Sequence, residues 1–176
     1  MPLAIFKKLD SERLVLRVLK PTDVASIFAL RADADLRKFI LSPLHKSEQE
    51  SIDYITRISN GNKIQKHYFW GITLKNSDKL IGTICLWNFS EDKKTAEIGY
   101  DLLANHHNKG IMSEAIQVVL KFGFEEAQFE TIEAFTHHKN EASKALLIKN
   151  NFVFQADRID VGFPHNIIFS IKSHCE

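Results

Sequence analysis

The sequence predicts a mixed α/β fold, a sheet carrying helices on its faces, and three observations support that prediction. The middle of the chain holds three strand-like runs separated by short polar turns, the pattern of an antiparallel meander. The stretch that follows reads strand, helix, strand, which requires a parallel crossover. The first third places apolar residues at helical spacing behind N-cap residues.

In chain order, residues 13–19 form the first expected strand. Pro21, Thr22 and Asp23 cap a helix over 24–32. Residues 36–41 make a short helical turn, stopped by Ser42 and Pro43. Ser47 and Glu50 form a capping box, and Ile52, Ile55 and Ile58 give the helix behind it an apolar face. Strands over 67–74, 80–89 and 95–103 follow, with polar turns at 75–78 and 90–93. A helix over 110–127 directs Ala115, Ile116, Val119, Leu120 and Phe124 inward. Residues 129–136 are a strand, 140–150 a late helix, and 152–159 with 167–172 a closing hairpin.

No repeat, low-complexity segment or linker divides the 176 residues, so the expectation is one domain over 1–176. The 44% hydrophobic and 26% charged content is that of a soluble globular protein. Thirteen phenylalanines point to a core packed largely from aromatic rings. A net charge of +1 argues against nucleic acid as a partner. No apolar run spans a bilayer, and residues 1–8 run into charge and not a signal-peptide core. Cys85 and Cys175 make no disulfide framework, which places the expected home in a reducing cytoplasm. The adjacent pairs His106–His107 and His137–His138 point apart and lack a completing ligand, so no metal is expected.

The chemistry concentrates where the strand ending at Leu103 meets the turn around Lys109 and Gly110 and a helix begins. Such a junction aims backbone N–H groups and a positive helix end at one point, a seat for a phosphate or pyrophosphate. The crossover sets strand 129–136 beside strand 95–103. Asn140, an N-cap type of residue on the next helix, then opens at the same sheet edge. A nucleotide-binding reading is weaker, because no P-loop Lys-Ser/Thr accompanies the turn.

Four sets of residues carry a family resemblance: Arg13, Leu14, Leu16 and Arg17; the run Ala96, Glu97, Ile98, Gly99 and Tyr100; the run from Asn108 to Ala115; and Asn140 and Ser143 with Lys149 to Phe152. In this order they resemble the GNAT superfamily of N-acetyltransferases, and within it the ribosomal-protein alanine and serine N-terminal acetyltransferases. The resemblance covers nearly the whole chain. It implies a GNAT-like α+β fold, its mixed and mostly antiparallel sheet splayed between two parallel strands. It also implies acetyl-CoA as co-substrate, without metal, lying in the V-shaped gap between those strands. By the same likeness, the backbone of Tyr100, Asp101 and Leu102 pairs with the pantetheine arm. The N–H groups of His107, Asn108, Lys109, Gly110, Ile111, Met112 and Ser113 hold the pyrophosphate, and Asn140 touches the pantetheine.

The implied reaction is direct attack of a primary amine, on a protein N-terminus or a small molecule, on the thioester. Glu97 is the candidate base and Ser143 the candidate proton donor. The sequence departs from the family pattern in places. His107 and Met112 are unusual at the two ends of the phosphate turn, and Asn108 and Asn151 stand where glycine is common. Asparagine tolerates positive φ better than most residues. Leu147 occupies the position at which many relatives carry a tyrosine acid. That substitution motivates the alternative of a non-catalytic acyl-CoA-binding sensor or interaction module on the same fold. The expected assembly is a monomer or homodimer.

Overall fold

A computed structural model of the chain describes residues 5–173, so Cys175 and the first four residues of the N-terminal reading lie outside the described residues. The chain enters through β1 (Leu9–Asp10), which pairs antiparallel with β2 (Leu14–Arg17). Residues 21–23 form a 3-10 turn, then α1 (Val24–Ala32) and α2 (Glu48–Lys63) follow. The meander comprises β3 (Tyr68–Leu74), β4 (Leu80–Trp87) and β5 (Thr95–Leu102). After it come α3 (Ile111–Lys121), β6 (Thr131–His137), α4 (Glu141–Lys149), β7 (Val153–Phe154) and β8 (Asn166–Lys172).

The eight strands lie in the order β1-β2-β3-β4-β5-β6-β8-β7. Every neighbouring pair is antiparallel except β5 and β6. That parallel pair is joined at Thr95–Thr131, Ala96–Ile132 and Glu97–Glu133 and no further, while β5 stays paired with β4 from Glu97 to Leu102. The sheet therefore splays past Glu97.

Helices cover both faces. One face packs Leu14, Leu16, Tyr68, Trp70, Ile84, Leu86, Ala96 and Ile98 against α3 and Leu147 of α4. Tyr68, Trp70, Phe122 and Phe129 form its aromatic centre, with Tyr68 and Phe122 ring centroids 4.9 Å apart. Burying each such side chain contributes about 1.5–3 kcal/mol. The other face packs Leu19, Phe69 and Leu80 against Ile27 and Leu30 of α1 and Tyr54, Ile55 and Ile58 of α2.

Several local expectations are corrected. Asp23 stands at the N-cap of α1 but its side chain makes no bond to that helix; it reaches back to accept from Lys20 N–H at 2.7 Å. Its carboxylate also takes both terminal nitrogens of buried Arg17, at 2.8 and 2.9 Å, because that charge needs a partner away from water. The box at α2 is offset: Ser47 Oγ accepts from Glu50 N–H, but the Glu50 carboxylate turns to Lys46 N–H. Ile52 is exposed, and Ser51 and Tyr54 take its place on the buried face. Residues 122–126 form a π-helical turn after α3. Phe122 is buried on the same helical face as Ala115 and Val119, Phe124 packs against the core as expected, and the extra residue of the turn brings Ala127 to the buried side. The strand expected over 152–159 shrinks to β7, and residues 155–165 form turns instead.

Candidate active site

The divergence of β5 from β6 exposes one backbone edge. Leu103 N–H donates to Ile81 O on the β4 side, so strand alternation turns the N–H and C=O groups of Ile98, Tyr100 and Leu102 toward the gap. Asp101 has the opposite parity. Its backbone faces β4 and its carboxylate pairs with Arg37, 3.0 Å away, so it does not join Tyr100 and Leu102 at that edge, contrary to expectation.

At the wide end of the gap the chain turns into α3. Asn108 has φ +59° and Gly110 φ +73°, both left-handed. Asparagine and glycine are the residues that adopt this conformation at low cost. Arg13 steadies the turn, donating to Lys109 O at 3.0 Å and to the Glu114 carboxylate at 2.6 Å. Lys109 Nζ turns back to Asn105 O, and His107 Nε2 lies 2.8 Å from Leu102 O. The N–H groups of residues 108–113 take no backbone partner among the described residues. Ile111, Met112 and Ser113 bury their side chains, and Ser113 Oγ donates to Asn150 Oδ1. What this turn offers outward is therefore backbone N–H groups at a helix N-terminus, the arrangement an anionic phosphate fits.

Asn140 caps α4, its side-chain oxygen accepting from Ser143 N–H at 3.1 Å. One turn in, Ser143 Oγ lies 2.8 Å from Tyr100 OH. Burial pushes the Tyr100 phenol up to about 12, against the opposing hydrogen bond from Ser143. The sequence reading used only the backbone of Tyr100 and missed this hydroxyl. Strand parity was the available signal, since Tyr100 shares the inward face of Ala96 and Ile98. Leu147 is fully buried in the main core and presents nothing to the gap. Asn151 takes φ +64°, the left-handed conformation expected after α4.

A cleft of about 470 Å³ runs through the gap, bordered by Tyr100, Asn140 and Ser143 and by Trp87, Glu97 and Gly99. Phe39, Ile40 and Leu41 form one wall, and Asp160 and Phe163 stand across it. Glu97, half-buried, accepts from Asn88 Nδ2 at 3.3 Å. Burial raises its carboxyl to about 7, opposed by the Asn88 bond and reinforced by the Asp160 and Glu133 carboxylates. A carboxyl poised there exchanges protons readily at neutral pH. The Glu133 carboxylate is engaged by Arg158. Among the described residues no group of three His, Cys, Asp or Glu side chains is placed to hold a metal ion. His137 and His138, expected to point apart, instead bring their ring centroids to 4.7 Å because both pack on His165, His137 stacked on it and His138 tilted.

Residues 13–153 match the acetyltransferase (GNAT) domain, and the chain belongs to that family. It is 30% identical over 148 residues, 84% of each chain, to YoaA of Bacillus subtilis, described as an uncharacterized N-acetyltransferase. Its fold is similar to that of the ribosomal L7/L12 alpha-N-protein acetyltransferase RimL in complex with coenzyme A (TM-score 0.80, 19% identity, 94% of this chain and 98% of that one). It is equally similar to the microcin C7 self-immunity acetyltransferase MccE in complex with acetyl-CoA and AMP (TM-score 0.79, 20% identity, 93% and 94%). The chain is thus an acetyltransferase by family, with the mixed α/β fold of that family.

Proposed function

We propose that this chain, working as one domain, transfers an acetyl group from acetyl-CoA directly to a primary amine, on a protein N-terminus or a small molecule. The observation that carries the proposal is the cleft itself. It joins the β5 edge at Ile98 and Tyr100 to a carboxyl near neutrality and a serine–tyrosine pair, and the same strand leads on to the turn of unpartnered N–H groups at 108–113.

The thioester supplies the acyl group. The edge at Tyr100 and Leu102 binds the extended pantetheine arm, and the N–H groups of residues 108–113 bind the pyrophosphate; the His107 N–H, expected to join them, is instead donated to Ala104 O at 3.1 Å. Asn140 orients α4 and presents Ser143. Glu97 takes the proton of the attacking amine, directly or through water. A backbone N–H of the β5 edge faces the charge that builds on the acyl oxygen. Ser143, hydrogen-bonded to Tyr100, gives a proton to the departing thiolate, the role left open by Leu147.

The test is a thermal shift of the purified protein with acetyl-CoA, with coenzyme A and ATP as controls. At about a hundredfold excess over Kd, ligand adds ~2.7 kcal/mol of stability. A shift with both CoA species and not with ATP, followed by acetylation of an amine from a broad panel, supports the reading. Absence of a CoA shift overturns it. CoA binding with no amine ever acetylated favours the non-catalytic alternative.

A further inference from the structure

One buried charge beside the cleft takes no part in the chemistry above. Arg37 lies in the turns between α1 and α2, with its side chain only 3% exposed. Its Nη1 donates to Asp101 Oδ2 at 3.0 Å and its Nη2 to Ser42 Oγ at 2.5 Å. Its Nε is buried with no hydrogen-bond partner. Withdrawing a guanidinium from water is costly, and a carboxylate in good geometry is what makes such a position tenable. Burial raises the Asp101 carboxyl, and Arg37 and then Arg31 oppose that rise.

The two ends of this contact have different jobs. Asp101 sits on β5 between Tyr100 and Leu102, the residues whose backbone groups face the gap. Arg37 and Ser42 bracket Phe39, Ile40 and Leu41, which form the apolar wall of the cleft. No strand or helix holds this segment. Its backbone bonds are local: Arg37 N–H to Asp33 O, Ile40 N–H to Arg37 O, and Ser42 N–H to Ile40 O. Toward the sheet it offers the Phe39 ring against His137, centroids 5.0 Å apart, and the Arg37 fork.

We infer that Arg37 is the positioning residue of the acceptor wall. Its fork fixes the wall to the strand that binds the cofactor, so the width of the acceptor side is set from that strand. The inference rests on the reading of β5 as the cofactor strand. Ligand held along the Tyr100–Leu102 edge restrains Asp101 and, through Arg37, residues 37–42. Lysine keeps the charge but cannot span both partners with a planar fork.

Hydrogen exchange on the whole chain tests this, with and without saturating coenzyme A, in wild type, Arg37→Lys, Arg37→Met and Asp101→Asn. In wild type, coenzyme A is expected to slow exchange at 98–102 and 107–113, and also at least fivefold at 37–42. The variants are expected to keep the first two effects and lose the third. With any amine that the enzyme acetylates, their amine KM rises at least tenfold while the acetyl-CoA KM stays within twofold. Slowing at 107–113 without slowing at 37–42 in wild type overturns the inference and leaves the cofactor reading standing. Loss of slowing at 107–113 in Arg37→Lys and Asp101→Asn reduces Arg37 to general support of the fold, which also overturns it. No slowing anywhere overturns the cofactor reading, and the inference with it.

Discussion

The two sides of the splayed sheet are built from different materials. The turn at 107–113 is made of backbone: its side chains are exposed, turned back on the chain or buried in the core, and what it presents is the N–H groups of 108–113. The acceptor side is made of side chains: Glu97, the wall at 39–41, and the buried Arg37–Asp101 pair behind it. A backbone site depends on φ and ψ and tolerates many residue types. A side-chain site depends on the particular atoms present. That contrast explains why the turn keeps its shape with Asn108 and Met112 at unusual positions.

The sharpest way to break the contrast is Glu97→Gln, which preserves shape and removes the base. On the proposed mechanism kcat falls about 10²–10⁴-fold with acetyl-CoA affinity unchanged. Wild-type activity rises as pH climbs through about 7, where Glu97 ionises, and levels off above it; the variant's profile lacks that step. An equally active variant would remove Glu97 from the chemistry. The same substitution bears on stability, with the sign set by the raised pKa. The folded state holds this proton more tightly than the unfolded chain, so ionisation costs stability as pH rises from the ordinary glutamate value past 7. Glu97→Gln is therefore expected to be the more stable protein at pH 8, by about 3 kcal/mol, and near parity at pH 4. Melting curves at the two pH values check this.

Ser143→Ala is expected to lower kcat about tenfold or more with no loss of CoA binding, since Tyr100 stays at the cleft. An unchanged kcat would mean that the thiolate leaves unaided. On the backbone side, Gly110→Val forces a β-branched residue to φ +73° at a cost of about 1–3 kcal/mol. Acetyl-CoA then binds roughly tenfold more weakly by titration. Asn108→Gly, at φ +59°, should change that affinity by less than about twofold, because glycine accepts the same conformation. A large loss there would show that the Asn108 side chain contributes to binding.

The sequence reveals these two sides unequally. The meander, the crossover and the turn were legible because local period and turn chemistry determine them. Asn108 and Asn151 adopted the left-handed conformations expected of asparagine. Arg37 was not legible: its partner Asp101 is 64 residues away, and nothing local marks either as buried. The Tyr100–Ser143 contact spans 43 residues, although strand parity indicated which way the tyrosine points. The π-helical turn at 122–126 shifts the burial phase by one residue and leaves no mark in the apolar spacing. Long-range side-chain pairing is what a single sequence conceals, and the acceptor side consists largely of it.

The short junction of β5 with β6 has a mechanical consequence. Three register pairs fasten a five-stranded leaf, β1 to β5, to a three-stranded leaf of β6, β8 and β7. Most of what keeps the leaves together is thus the shared floor of α3 and its aromatic core, in which Phe122 and Phe129 meet Tyr68 and Trp70. A molecule lodged between the leaves acts as a missing rung of the ladder, so the sheet is most nearly continuous when it holds something that is not protein.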